Sequence, residues 1–194
     1  MTRIIGGTAG GRRIKAPTGD ATRPTSDRVR EALFSSLEAT LGSLTGLRFL
    51  DLYAGSGAIG LEARSRGAGV VTCVEHDRRT AALIRDNVRT LGFDGVEVVA
   101  ASVARTLVHP PRAPYDVVFA DPPYPLSAED VDADLVALRD HDWLAEGAVV
   151  VVERGRRGSP PTWPEGLDGD REKKYGETVL WYGHAAATPT PPVT

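Results

Sequence analysis

Asp121-Pro122-Pro123-Tyr124 follows the apolar run Val117–Ala120 and gathers a carboxylate, two backbone carbonyls and an aromatic face around one point. Such a set suits a flat ring that carries an exocyclic amine: the oxygens accept from its two N–H groups while the ring stacks on Tyr124. Prolines 122 and 123 offer no competing N–H and hold φ fixed, so the turn cannot close into a helix. Read from the residues alone, the four form a clamp for an NH2 group. A turn that only ends a strand is the plainer alternative.

Upstream, the strand-like run Arg48-Phe49-Leu50-Asp51-Leu52-Tyr53-Ala54 leads into Gly55-Ser56-Gly57-Ala58-Ile59-Gly60. Small residues there let the backbone approach a ligand, and a helix start offers free N–H groups. Glu75 ends a second β-rich run, Val70–Val74, and is placed to accept hydrogen bonds from ribose hydroxyls. The spelling G-x-G-x-x-G with a later acidic residue also fits dinucleotide sites, so NAD and S-adenosylmethionine (SAM) both satisfy it.

The elements that must position these residues alternate between periods. Val29, Leu33, Leu37 and Leu41 mark a helix with Thr25, Ser26 or Asp27 as its cap, and Gly42 and Gly46 end it. A strand near Leu47–Tyr53, a helix to about Arg66, a strand Val70–Glu75 and a helix on Ala81, Ile84, Val88 and Leu91 follow. Strands at Gly95–Ala100 and Tyr115–Ala120 enclose a short helix within Ala101–Leu107. Ser127 caps a helix through Leu138, ahead of a strand at Ala148–Val152. Gly155–Asp170 reads as an irregular loop, Lys173–Tyr182 ends in a strand whose direction is open, and Ala185–Thr194 reads as a disordered tail. The order implies an α/β fold with a mostly parallel sheet and helices on both faces. Ligands of such sheets bind beyond the carboxyl ends of the strands, which brings Gly55, Glu75, Ser102 and Asp121 together.

With 194 residues the chain suits one domain. It has neither an apolar run long enough to span a bilayer nor a signal-like start, so a cytoplasmic enzyme without membrane attachment is expected. The single cysteine, Cys73, excludes an internal disulfide, and the histidines show no metal-ligand spacing, so no metal is expected. The net charge of −3 is uneven: residues 1–30 carry seven Lys or Arg against two Asp, +5, which leaves −8 on the rest. A basic front suggests contact with a polyanion. Ile4–Gly7 and Arg12–Lys15 around a glycine turn read as a basic hairpin, an arm that could be removed with the body still folded. The divisions expected are the arm over 1–22, a catalytic domain over 23–184 and the tail over 185–194.

The pairing of D-x-x-A-G-S-G-x-x-G-x-E-A (Asp51–Ala63) with D-P-P-Y resembles class I SAM-dependent methyltransferases that act on exocyclic amines. More narrowly, Arg3–Gly7, the stretch R-P-T-S-D-R-V-R-E-A-L-F (Arg23–Phe34) and Lys174–Thr178 resemble the RsmD family, which methylates guanine N2 in 16S ribosomal RNA. The similarity covers about residues 3–183. It implies a Rossmann-like, seven-stranded sheet whose last strand is antiparallel, an assembled small ribosomal subunit as partner, SAM as cofactor and no metal. A monomer is expected.

Under that resemblance Asp51, Gly55, Ser56 and Gly57 surround the methionine part of SAM, Glu75 holds the ribose, and His76 borders the adenine. Ser102 stands where relatives of the wider class carry an acidic or amide residue. Asp121, Pro122 and Tyr124 hold the guanine; Arg12, Arg13, Arg23, Thr25 and Arg30 lie near RNA or cofactor. The rivals are an amino methyltransferase for DNA adenine N6 or protein glutamine N5, a dinucleotide oxidoreductase, and a non-catalytic assembly factor.

Overall fold

The computed structural model describes residues 2–17 and 26–186. Its elements are β1 (Thr2–Arg3), β2 (Arg13–Ile14), α1 (Asp27–Leu41), β3 (Arg48–Leu52), α2 (Ala58–Ser65), β4 (Val70–Val74), α3 (Arg78–Leu91), β5 (Val96–Val99), α4 (Val103–Leu107), β6 (Tyr115–Ala120), α5 (Ala128–Asp140), β7 (Leu144–Gly155), β8 (Leu167–Tyr175) and β9 (Thr178–Ala185). Side-chain caps open four of the helices: Ser26, Asp77, Ser102 and Ser127 accept from Val29, Thr80, Arg105 and Asp130 N–H.

Seven strands form one sheet in the order β5-β4-β3-β6-β7-β9-β8. β3, β4, β5, β6 and β7 pair in parallel, and β9 runs antiparallel to both its neighbours. Both faces are covered, so adjacent residues of one strand enter different cores. Phe49, Val117, Phe119, Val149 and Val151 pack beneath α1, α2 and α3 with Leu33, Phe34, Leu37, Ile59 and Ile84. Leu50, Leu52, Val118, Ala120, Val150 and Val152 pack beneath α4 and α5 with Val103, Leu107, Val131, Leu135 and Leu138. The fold class expected from the sequence is the one observed, including the antiparallel last strand and the N-terminal hairpin.

Three local readings change. Gly155–Asp170 is not wholly irregular, since β7 runs on to Gly155 and β8 starts at Leu167. β8 is the sheet edge, and its solvated Asp168-Gly169-Asp170-Arg171-Glu172-Lys173-Lys174 carries the charges that edges carry against mispairing. Ala185 belongs to β9, while the remaining tail from residue 187 lies outside the described residues. In the hairpin the first strand, Thr2–Arg3, sits earlier than Ile4–Gly7, and a 3-10 turn begins at Gly7.

The arm is part of the folded body rather than a removable appendage. Ile4, Ala9 and Ile14 are buried with Leu61 of α2 and Leu91 of α3. Glu62 of α2, wholly buried, accepts from Ile5 N–H at 2.7 Å and Gly6 N–H at 2.8 Å and pairs with Arg66 at 2.7 Å. Removing residues through Lys15 would uncover Leu61 and Leu91 and strip that carboxylate of two donors, so the body is not expected to survive the truncation.

Candidate active site

Register aligns the strand ends. Leu52 lies opposite Val74 and Ala120, Val74 opposite Val99, and Ala120 opposite Val152. One residue further on, Tyr53, Glu75, Ala100 and Asp121 leave the sheet as a single row, level with Glu153 of β7, which continues to Gly155. Asp121 N–H still reaches Leu52 carbonyl at 3.4 Å. The strand that ends in the clamp therefore adjoins the strand that launches the glycine loop, about 5 Å away at ordinary strand spacing.

The glycine loop is braced from beneath. Asp51 is 2% exposed, and its carboxylate accepts from Gly60 N–H of α2 at 2.9 Å. A side chain at Gly60 would meet Cys73 Sγ at 2.6 Å, so only glycine lets α2 come this close to β4. Glu75 accepts from Gly55 N–H at 2.9 Å and Asp77 N–H at 2.8 Å, with exposed His76 Nδ1 3.0 Å away. Gly55 itself has φ +54° and nothing within 4 Å of where a Cβ would stand. Gly57, buried, precedes α2, and Ser56 carbonyl accepts from Asn87 at 3.2 Å. Ser102 is exposed and its hydroxyl caps α4.

Burial pushes the Asp51 carboxyl up to about 7, with the Gly60 N–H opposing and the Glu75 charge adding to the rise. In the unfolded chain this group titrates near 3.8. Its favourable contribution to folding is thus complete below about pH 4 and is lost as pH rises through 7. We expect Asp51→Asn to remove that decline, so that the difference in stability between wild type and variant changes steadily across this window. Denaturant melts at stepped pH check it; parallel wild-type and variant curves would refute it.

Pro122 is buried, whereas Tyr124 is 87% exposed. Its hydroxyl end nevertheless has a fixed neighbour: a Cβ added at Gly155, the end of β7, would stand 2.8 Å from Tyr124 Oη and 3.3 Å from Cζ. The ring thus reaches from the β6 turn towards the β7 terminus.

Four residues absent from the expectations brace the glycine loop, the clamp-side helix and the arm. Tyr53, at φ +60°, donates its hydroxyl to Asp134 of α5. Burial raises both groups, Asp134 to about 6. Asn87 of α3 accepts from Lys15 N–H at 2.9 Å and donates to Lys15 and Ser56 carbonyls. Glu62 fastens the arm as described. Asn87 did carry a signal, a buried polar residue within the apolar stripe Ala81, Ile84, Leu91.

One of the expected RNA contacts, Arg30, is corrected, while exposed Arg12 is tied to α3. Arg30 is fully buried: Nη2 donates to Arg3 carbonyl at 2.8 Å, Thr2 Oγ1 at 3.1 Å and Asp27 Oδ1 at 2.7 Å, so it ties α1 to the arm. Arg12 donates from Nη1 to Leu91 carbonyl at 2.8 Å and from Nη2 to Thr90 carbonyl, closing the C-terminal end of α3. Arg13 is exposed and lines a cavity of about 330 Å3 with Thr2, Arg3 and Asp27. Arg23 and Thr25 lie outside the described residues.

The family model described as Conserved hypothetical protein 95 matches residues 2–184. Ribosomal RNA small subunit methyltransferase D of Escherichia coli K12 is 37% identical over 177 residues, 91% of this chain and 86% of that protein. The chain belongs to the RsmD family. The protein of the same name from Haemophilus influenzae is 34% identical over 90% of this chain and 89% of its own length. Among solved structures, yhhF of Escherichia coli superposes at TM-score 0.84 with 33% identity, covering 96% of this chain and 98% of that one. The inserted antiparallel β9 also departs from the 3-2-1-4-5-6 order of dinucleotide folds. Among the described residues no group of three His, Cys, Asp or Glu gathers to hold a metal, and no helix is long and apolar enough to cross a membrane.

Proposed function

We propose that the protein transfers a methyl group from SAM to the exocyclic N2 of a specific guanine in 16S ribosomal RNA, acting in the cytoplasm as a monomer on the small subunit. The observation that carries this reading is the adjacency of Asp121 to the end of β3, which puts an amine clamp and a cofactor loop on neighbouring strands. The donor set fits SAM: open space above Gly55, a braced loop, and Glu75 with acceptor capacity left for ribose hydroxyls. When bound, SAM supplies a methyl carbon made electrophilic by its positive sulfonium.

The protein's own work is then mainly positioning. Asp121 and the Pro122 carbonyl accept the two N–H bonds of the guanine amine. That favours a pyramidal nitrogen and the positive charge that grows on it, interactions strongest in the transition state. Tyr124 supplies a stacking face for a base drawn out of its helix or presented in a loop. Asp51 holds the glycine loop from below, and Tyr53–Asp134 ties that loop to the helix following the clamp.

If Tyr124 is the stacking face, Gly155 decides where it lies. Gly155→Ala is expected to raise KM for RNA roughly five- to tenfold, part of what one base–aromatic stack contributes, with SAM affinity unchanged. In a Tyr124→Ala background the same substitution should have no further effect. Steady-state kinetics of the four proteins check this, and additive effects would break the link.

The reaction itself is tested by offering labelled SAM with small subunits, naked ribosomal RNA, DNA and release factors, followed by nucleoside mass spectrometry. N2-methylguanosine in 16S RNA is the expected product. Label in DNA adenine or in protein glutamine would move the protein to the neighbouring amino methyltransferases.

A further inference from the structure

Two stretches carry this chain's narrower resemblance, Arg23–Phe34, described from Ser26 onward, and Lys174–Thr178. In the fold they meet. Ser26, Arg28 and Val29 at the start of α1 and Lys174, Tyr175 and Gly176 at the β8–β9 turn line a cavity of about 270 Å3.

Register fixes where this cavity lies. Thr178 stands opposite both Gly155 and Tyr175, and Val179 opposite both Arg154 and Lys174. Gly155 is three residues beyond Val152, which is level with Ala120. The turn therefore rises from the rim where Asp121 leaves the sheet, on the far side of Gly155 from β6. Tyr124 reaches over that same glycine.

The lining chemistry is cationic. Arg28 and Lys174 are both exposed, and no carboxylate is among the lining residues described. Lys174 Nζ is 2.7 Å from Glu172 Oε1, a pair with 59% and 34% of its side chains exposed. Such surface pairs are worth little and exchange readily for a stronger anion. The guanidinium and the ammonium can grip one phosphodiester together, the first with two oriented N–H groups and the second as a point charge.

We infer that this cavity is a phosphate subsite for the RNA strand carrying the target guanine, with Arg28 and Lys174 holding a backbone phosphate while the base lies between Asp121 and Tyr124. It rests on the RNA methyltransferase reading above. The strand would run across the rim from the β6 turn to the β8–β9 turn, with Gly155 between. Phosphate contacts of this kind fix register on the protein and carry no sequence information of their own.

The test compares wild type with Arg28→Gln, Lys174→Gln, Lys174→Arg and the double Gln variant. Methylation kinetics on small subunits are followed across a salt series, with equilibrium binding of 16S RNA by protein loaded with S-adenosylhomocysteine alongside. The double variant should raise KM and weaken RNA binding about tenfold, the scale of a lost charged hydrogen bond. Its slope of log affinity against log salt should shrink by about 0.7–0.9, one phosphate's worth. Lys174→Arg should retain most of the affinity, and SAM affinity should be unchanged throughout, reporting an intact fold. Wild-type binding and salt slope in the double variant would overturn the subsite. So would a loss that Lys174→Arg shares and that takes SAM affinity with it, the mark of a structural role. If wild type methylates DNA or protein instead, the reaction reading fails separately, and the turnover-free RNA binding still decides the subsite.

Discussion

Asp121→Ala is expected to lower kcat by about 10²–10³-fold, the range seen when one preorganised transition-state hydrogen-bonding group is removed, while SAM affinity stays within about twofold of wild type. The reason is placement. Asp121 leaves β6 beside the glycine loop without belonging to it, so the cofactor side keeps its braces at Asp51 and Glu75. Asp121→Asn sharpens the test, because it keeps the shape but replaces one acceptor oxygen by a donor facing the amine's own N–H. It should also be severely impaired. Single-turnover methyl transfer and calorimetric SAM binding on the same preparations give both readouts. Turnover within a fewfold of wild type, or a parallel collapse of SAM binding, would remove Asp121 from the role of amine acceptor.

Glu62→Ala is expected to destabilise the protein by about 3–5 kcal/mol, the usual consequence of taking one partner from a buried, fully hydrogen-bonded charge cluster. At about 2–4 °C per kcal/mol for a chain of this size, the melting temperature should fall by roughly 10 °C. The carboxylate answers Ile5 N–H, Gly6 N–H and Arg66 at once, and Arg66 also reaches Glu38 of α1 at 3.2 Å. Its loss orphans two amides and leaves a guanidinium only 13% exposed with one carboxylate fewer. Glu62→Gln should be milder, since one acceptor oxygen survives. Thermal and urea melts measure both; a shift below about 1 kcal/mol for the alanine variant would mean the arm is held by its apolar contacts alone.

Much of the architecture could be read from one-dimensional patterns. Val117–Ala120 and Val149–Val152 are unbroken apolar runs because each strand feeds two cores, and the serine caps stand where the periodicity changes. The rule that ligands meet at carboxyl strand ends was enough to expect Asp121 near the end of β3, where its N–H reaches the Leu52 carbonyl. What escaped depends on partners far along the chain. Glu62 finds its donors 56 and 57 residues away, Asn87 its arm contact 72 away, and Tyr53 its acceptor 81 away. No local spacing encodes such pairs. Arg30 misled for a related reason: an arginine within a basic stretch resembles a phosphate reader, but one helical turn beyond Asp27, and beside buried Val29 and Leu33, it faces inward. β8 was hidden because an edge strand with a solvated face has no hydrophobic alternation to show.

Asn87 gives the molecule a mechanical property. Its amide oxygen and nitrogen are all committed, to Lys15 on one side and Ser56 on the other, in a setting 1% exposed. Breaking away from either neighbour would strand a polar group out of reach of water. The basic hairpin and the Gly55–Gly57 turn are accordingly one stiff unit, so a pull on the hairpin would be transmitted to that turn instead of being absorbed by slack.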